Sequence, residues 1–301
     1  MPTRPPTGTQ TRAILTTTLA TCLCGCSPLS SGFLNPAGPV ASAQRDLLFW
    51  IVGVSMVVVL PVLVLTPWLL WRYRFGQQQA PYRPRWEFSL PLEILSWGVP
   101  VLVVIGLGAL TWGRTHQLDP YQPLPDSGPS LKVQVIALDW KWLFIYPEQG
   151  VATVNELVIP SGRSVHLSLT SATVMQSLMI PRLAGQIYAM AGMRTQQYLQ
   201  SDAVGEFTGR NTQFNGVGFQ QQRFITRSLA PEAFDQWLDT TRQANATLDC
   251  AAYLHLSQNP SQVPPSLYRS VQPGLFEWVM RSFHGGTPRT CDGPTQGKSD
   301  E

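Results

Sequence analysis

The chain has 301 residues, of which 44% are hydrophobic and only 13% are charged. Soluble domains carry about 25% charged residues, so this composition argues against an ordinary cytosolic enzyme. It also excludes a disordered chain, which needs low hydrophobicity and high net charge. A net charge of +3, with no basic run, excludes a nucleic-acid binder. The apolar share is ordinary, so the apolar residues must be concentrated in particular segments.

The first such segment is at the start. Arg4 and Arg12 form a positive region without acids, and Ala13–Gly25 is apolar or small. That run is too short to span a bilayer but suits a signal sequence, so residues 1–25 are read as a signal peptide. It ends in Leu23-Cys24-Gly25-Cys26, which resembles a bacterial lipobox and makes Cys26 the expected lipidation site. The rival cut at Cys22 has the bulkier Thr21 before the cysteine. Residues 26–46 are then a short exported segment. Of the five cysteines, Cys250 and Cys291 remain on the exported side, where a disulfide between them is permitted.

Residues 47–71 carry no charge and include 17 Leu, Val, Ile, Phe or Met. At about −0.3 to −0.6 kcal/mol each, these favour insertion by roughly 5–10 kcal/mol. Pro61 and Pro67 are tolerated in a membrane helix. Residues 93–113 form a second span, uncharged after Glu93 and closed by Arg114. Trp50, Trp68, Trp71, Tyr73, Trp97 and Trp112 lie near the span ends, where aromatic belts form. The linker 72–92 holds Arg72, Arg74, Arg83 and Arg85, whereas 26–46 holds only Arg45. The linker is therefore expected in the cytoplasm, with the N-terminus and everything after Arg114 outside. The lipobox demands the same side for the N-terminus.

From Leu131 the pattern has period two. Leu131, Val133 and Val135 alternate with polar residues, as do Val165, Leu167 and Leu169, with a Pro160-Ser161-Gly162 turn between the two runs. His166 falls on the polar side. Residues 114–229 suit an antiparallel β-sandwich. Pro231 opens a helical stretch with Phe234, Trp237 and Leu238 on one face, so 230–286 is expected to be helical. The polar tail 287–301 is expected to be disordered.

These residues carry a resemblance. Asp139-Trp140-Lys141-Trp142 followed by Phe144-Ile145-Tyr146-Pro147 is similar to the aromatic signature of subunit II of the haem–copper oxidases. Val174-Met175-Gln176-Ser177, Ile180-Pro181 and Gln186-Ile187-Tyr188-Ala189-Met190-Ala191-Gly192-Met193 resemble one branch, subunit II of the cytochrome bo-type ubiquinol oxidases. The resemblance implies a two-helix transmembrane hairpin and an exported cupredoxin-like sandwich with a C-terminal helical extension.

The copper-bearing branch of that superfamily holds a dinuclear centre through a His and a later Cys-x3-Cys-x3-His-x2-Met run. The resemblance sets Gln176 at the first His, Gly218 and Gln222 at the cysteines, and Thr226 and Leu229 at the His and Met. Neither glycine nor an amide can bridge two coppers, and residues 27–249 contain no cysteine. No metal or other cofactor is therefore expected in this chain, and most of Met175, Met179, Met190 and Met193 read as core or interface packing. By resemblance, haems and copper belong to a partner subunit I, which takes electrons from quinol and not from soluble cytochrome c. Smaller membrane subunits and lipid complete the expected partners, in a bacterial inner membrane with the sandwich in the periplasm. Ubiquinol versus menaquinol stays open. Glu93, at the cytoplasmic start of the second span, is implied at the mouth of a proton-uptake path, or is simply an acid favoured by the helix dipole. Asp139, Trp140 and Trp142 read as core or interface anchors. The alternative is a stand-alone membrane-anchored binding or assembly protein.

Cys26→Ser is expected to abolish diacylglycerol labelling while leaving the chain in the membrane fraction, because two spanning helices hold more tightly than acyl chains. Release into the soluble fraction would refute the spans, and unchanged labelling would refute Cys26 as the site.

Overall fold

The computed structural model describes residues 32–74, 87–125, 128–261 and 263–284. They fall into two units, one of residues 43–122 and one formed by the chain on either side. Residues 1–25, expected as a signal peptide, together with Cys26, Arg83, Arg85, Cys291 and the tail lie outside the described residues.

Two helices dominate the first unit. Helix α1 spans Pro39–Arg72 and α2 spans Leu90–Gln117. At 1.5 Å per residue they measure about 51 Å and 42 Å, beyond the roughly 30 Å of bilayer hydrocarbon. Both overrun the charge-free spans read from sequence. A helix ends where its hydrogen bonding ends, not where charges begin, and Arg45 and Asp46 pair with each other at 2.8 Å inside α1. Pro61 and Pro67 sit within α1 and Pro100 within α2. Their apolar sides face outward, with Leu102 at 70% exposure, as a hydrocarbon solvent requires.

The second unit is a sandwich. Its first strands are β1 (Leu131–Leu138), β2 (Lys141–Tyr146), β3 (Val151–Val154), β4 (Glu156–Pro160) and β5 (Val165–Ser171). Then come β6 (Gln176–Ile180), β7 (Ala184–Ala189), β8 (Thr195–Leu199), β9 (Gly205–Asn211) and β10 (Arg223–Leu229). Helix α3 (Pro231–Arg242), β11 (Thr247–Leu248), α4 (Cys250–Gln258), β12 (Ser266–Tyr268), β13 (Ser270–Val271) and α5 (Leu275–His284) follow. One sheet runs β12-β3-β2-β1-β5-β8 and the other β4-β10-β9-β6-β7. Pairing is not wholly antiparallel: β1 and β5 are parallel, as are β4 and β10. Each of these pairs joins strands that are distant in sequence, so strand alternation alone cannot reveal their direction.

Val133, Val135, Trp142, Phe144 and Tyr146 pack between the sheets. Ile136, Leu138, Leu143 and Ile145 point the other way, into a second core with Leu248, Tyr253, Leu256, Leu275, Phe276 and Val279. The stretch after α3 is thus a cover on the six-stranded sheet, with short strands among its helices, and β2 is buried on both faces. Phe234 and Leu238 close one end of the inter-sheet core, with Trp237 packed against it. Ahead of α1, Ala37 bonds to Arg182 O at 2.7 Å and Asp202 N bonds to Ala37 O at 2.8 Å. A side chain at Gly38 would meet Gln200 O at 2.0 Å, so only glycine allows this approach.

Tyr146 ties the sheets together. Its hydroxyl donates to Val158 O at 2.9 Å and accepts from Val158 N at 2.8 Å, satisfying backbone groups of the edge strand β4. Burial, more than any other cause, pushes this phenol above its ordinary pKa of 10.0. Tyr146→Phe is expected to cost about 1–3 kcal/mol, since it leaves a buried donor and acceptor unpaired. The folded state holds the phenolic proton more tightly than the unfolded chain, so its contribution is complete below pH 10 and declines above it. Denaturant midpoints measured on both proteins from pH 7 to 11 test this, and the Phe variant should lack the alkaline decline attributable to this group.

Candidate functional site

The loops at one end of the sandwich bring together residues distant in sequence. Gln176 opens β6 and Gln222 precedes β10, and both are fully buried. Gln222 Nε2 donates to Gln176 Oε1 and to Leu138 O at 3.2 Å. Gln176 Nε2 reaches Leu138 O and Thr173 Oγ1, both at 3.3 Å. Gln222 Oε1 accepts from Asn211 Nδ2 at 2.9 Å and from Asn215 Nδ2 at 2.8 Å. Asn211 Oδ1 in turn accepts the backbone N–H groups of Ser177 and Gln213, each at 3.0 Å. The result is a network of neutral amides crossing three loops.

Asp139 and Trp140 form the turn between β1 and β2. Trp140 has φ 61°, an uncommon conformation for a bulky side chain. Its indole lies against Gly218, where an added Cβ would fall 2.1 Å from the ring. Gly218 is therefore required by a close aromatic contact. Asp139 accepts from Thr173 Oγ1 at 2.8 Å, which holds the neighbouring loop. Trp142 is wholly inside the core, 5.8 Å from Phe224 between ring centroids. Lys141 is buried, and its Nζ donates to Leu256 O at 2.8 Å and to Asn259 O at 2.5 Å, at the C-terminal end of α4. Burial lowers its pKa from the ordinary value, partly countered by the Asp139 carboxylate.

Of the five positions set against copper ligands, Gln176 and Gln222 meet directly, and Gly218 lies in the same loop system. Thr226 and Leu229 do not join them. They lie along β10, where extended backbone at about 3.3 Å per residue carries them roughly 13 Å and 23 Å beyond Gln222. Thr226 is buried in the sandwich, and Leu229 packs against its core. The donor set that does assemble consists of amides held by one another, which does not fit a thiolate-bridged copper pair. Among the described residues, no three His, Cys, Asp or Glu gather as a metal site.

Asn211, Asn215 and Lys141 are the residues that sequence reasoning missed. An asparagine two or three residues from a turn carries no periodic signal, and a buried lysine is rare enough not to be expected. His166 is half-buried, stacked 4.5 Å from Tyr198 and bonded to Gln196 Oε1 at 3.0 Å. Met175 and Met193 are 42% and 53% exposed, so they are not core packing within this chain. Glu93 is exposed in the first turn of α2, its N–H bonded to Ser89 O at 3.0 Å. Cys250 is disulfide-bonded; the other cysteines lie outside the described residues.

Comparison with known proteins places the chain in a family. Residues 242–286, which cover most of the second core, match the family model described as COX Aromatic Rich Motif. Over 252 residues the chain is 40% identical to the cytochrome bo(3) ubiquinol oxidase subunit 2 of Pseudomonas putida, covering 84% of this chain and 80% of that one. It is 38% identical to the ubiquinol oxidase subunit 2 of Acetobacter aceti, over 84% and 83% of the two chains. It is 37% identical to the quinol oxidase subunit 2 of Bacillus subtilis, over 79% and 75%.

Gln222→Leu removes the acceptor shared by Asn211 and Asn215 and the donor to Gln176. Leaving buried amides unpaired is expected to cost about 2–4 kcal/mol. Thermal or denaturant unfolding of the purified chain in detergent measures this. A loss below about 1 kcal/mol would show that the network does not close the loop end.

Proposed function

The chain belongs to the quinol oxidase subunit 2 family, and on that premise we propose that it is the non-redox second subunit of a respiratory ubiquinol oxidase, a haem–copper enzyme that reduces oxygen and translocates protons. In this reading the haems, the copper and the quinol site all reside in subunit I. The present chain braces that subunit in the membrane and covers its exported face.

The observation that carries the reading is the amide network at Gln176 and Gln222. An electron-accepting copper pair needs soft bridging sulfur, and glutamine amides have no redox chemistry of their own. Electrons from a soluble cytochrome c therefore have no entry here, which leaves a quinol dissolved in the membrane as the donor to subunit I. The two long apolar helices suit a protein of the inner membrane. Lipidation of Cys26 and pairing of Cys250 with Cys291 belong to the same proposal: both cysteines of the pair would lie on the oxidising side. A stand-alone binding or assembly role is not favoured, because relatives matched over most of their length are oxidase subunits.

Glu93 is the residue proposed to take part in turnover. It lies in the first turn of α2, exposed and beside an N-terminus whose dipole favours a carboxylate. A carboxylate at the cytoplasmic interface can collect protons and pass them into the partner subunit.

Purification in mild detergent should bring down a haem-bearing partner, with oxidase activity towards quinol and none towards reduced cytochrome c. Glu93→Ala is expected to slow quinol-driven oxygen reduction severalfold at unchanged haem content, and Glu93→Asp to retain more activity. Rates normalised to haem decide it, and a wild-type rate for the alanine variant would leave the subunit purely structural.

A further inference from the structure

The two sheets are treated differently by the chain. The six-stranded sheet has its outer face covered by residues that follow α3. The five-stranded sheet leaves the residues of β9 and β10 that point away from the core exposed. On that face Arg210 stands directly across from Arg223, Thr208 across from Ile225, and Glu206 across from Arg227. Arg227 takes both nearby acids, Glu156 at 3.1 Å and Glu206 at 3.6 Å. The side chains of Arg210 and Arg223 are left with no hydrogen bond or ion pair among the described residues. Like charges directly opposed on neighbouring strands destabilise a sheet, and no contact among the described residues offsets that cost for this pair.

Beside it runs an open groove of about 510 Å³, with Arg223 and Thr208 on its lip and Ile225, Pro264 and Pro265 among its walls. Ile225 is 42% exposed. Two guanidinium forks next to an apolar trough match one kind of occupant: a carboxylate with apolar residues next to it. Each fork can hold a carboxylate through two parallel hydrogen bonds. A polyanionic surface such as a bilayer or nucleic acid asks for more than two cations, and Glu206 and Glu156 on the same face would oppose it.

We propose that Arg210, Arg223 and the adjoining groove form a docking surface for an acidic, partly apolar segment of another subunit of the oxidase. The proposal rests on the reading of this chain as an oxidase subunit. The unpaired arginines are then a stability cost in the free chain that is recovered on assembly.

The test uses the full-length chain in the purified complex. Arg210→Gln with Arg223→Gln should leave the isolated chain at least as heat-stable as wild type, because repulsion has been removed. The same double variant should be retained in the complex about tenfold or more weakly during a salt titration. Arg223→Lys should keep the charge and allow a carbodiimide to join the new amine to the partner's carboxylate, giving a covalent adduct between subunits. Equal retention of the double variant and wild type at all salt concentrations would overturn the docking surface, as would cross-links confined to this chain or to lipid. If the wild-type chain itself brought down no haem-bearing partner, the oxidase reading would fall, and the docking surface with it. Normal wild-type assembly with an insensitive double variant would sink the docking surface alone.

Discussion

Buried amides have to hydrogen-bond, and at the loop end of this sandwich they do so chiefly with one another. Gln222 accepts from Asn211 and Asn215 and donates to Gln176, so a single side chain joins the β9–β10 loop to the end of β9 and to the start of β6. Leu138 O is shared by both glutamines, which brings the β1–β2 turn into the same network. That turn forces Trp140 into a left-handed conformation, and its indole then rests on Gly218 in the loop that Gln222 ends. Neutral hydrogen bonds thus close this loop cluster.

The second constraint is that β2 has no solvent face. Its inward residues pack against the other sheet and its outward ones against the cover formed after α3. Lys141, at the start of β2, secures this cover by hydrogen-bonding carbonyls at the end of α4, groups that a helix C-terminus otherwise leaves unsatisfied. Arg194 adds a further tie, paired with Glu277 and lying 5.4 Å above the Phe276 ring. The motif read as aromatic is therefore structural at each position: Asp139 fixes a loop, Trp140 packs on a glycine, Lys141 caps a helix and Trp142 fills the core. These ties fix the cover to the six-stranded sheet at both ends of the second core.

The membrane unit obeys a different solvent. Its helices satisfy their own backbone groups and present Leu, Val and Ile outward, which is stable only where water is absent. Lateral exposure of this kind in a long helix is also a demand for neighbours, lipid or protein, and it fits a chain that works within a complex.

The sequence by itself determined what depends on local pattern. Charge-free runs marked both long apolar helices, because hydropathy is a sum over residues, and alternation marked β1 and β5, because a strand's side chains have period two. Pro231 and the Phe234, Trp237, Leu238 stripe gave α3 for the same local reason. The absence of cysteine between residues 27 and 249 is likewise a property of the sequence alone. Only the tertiary structure decided that Gln176 and Gln222 touch while Thr226 and Leu229 lie elsewhere, that β1 pairs β5 in parallel, and that the second face of β2 is buried. It also paired Arg210 with Arg223. Each of these depends on which strands become neighbours, a choice made by the packing of the whole core and written in no single stretch of chain.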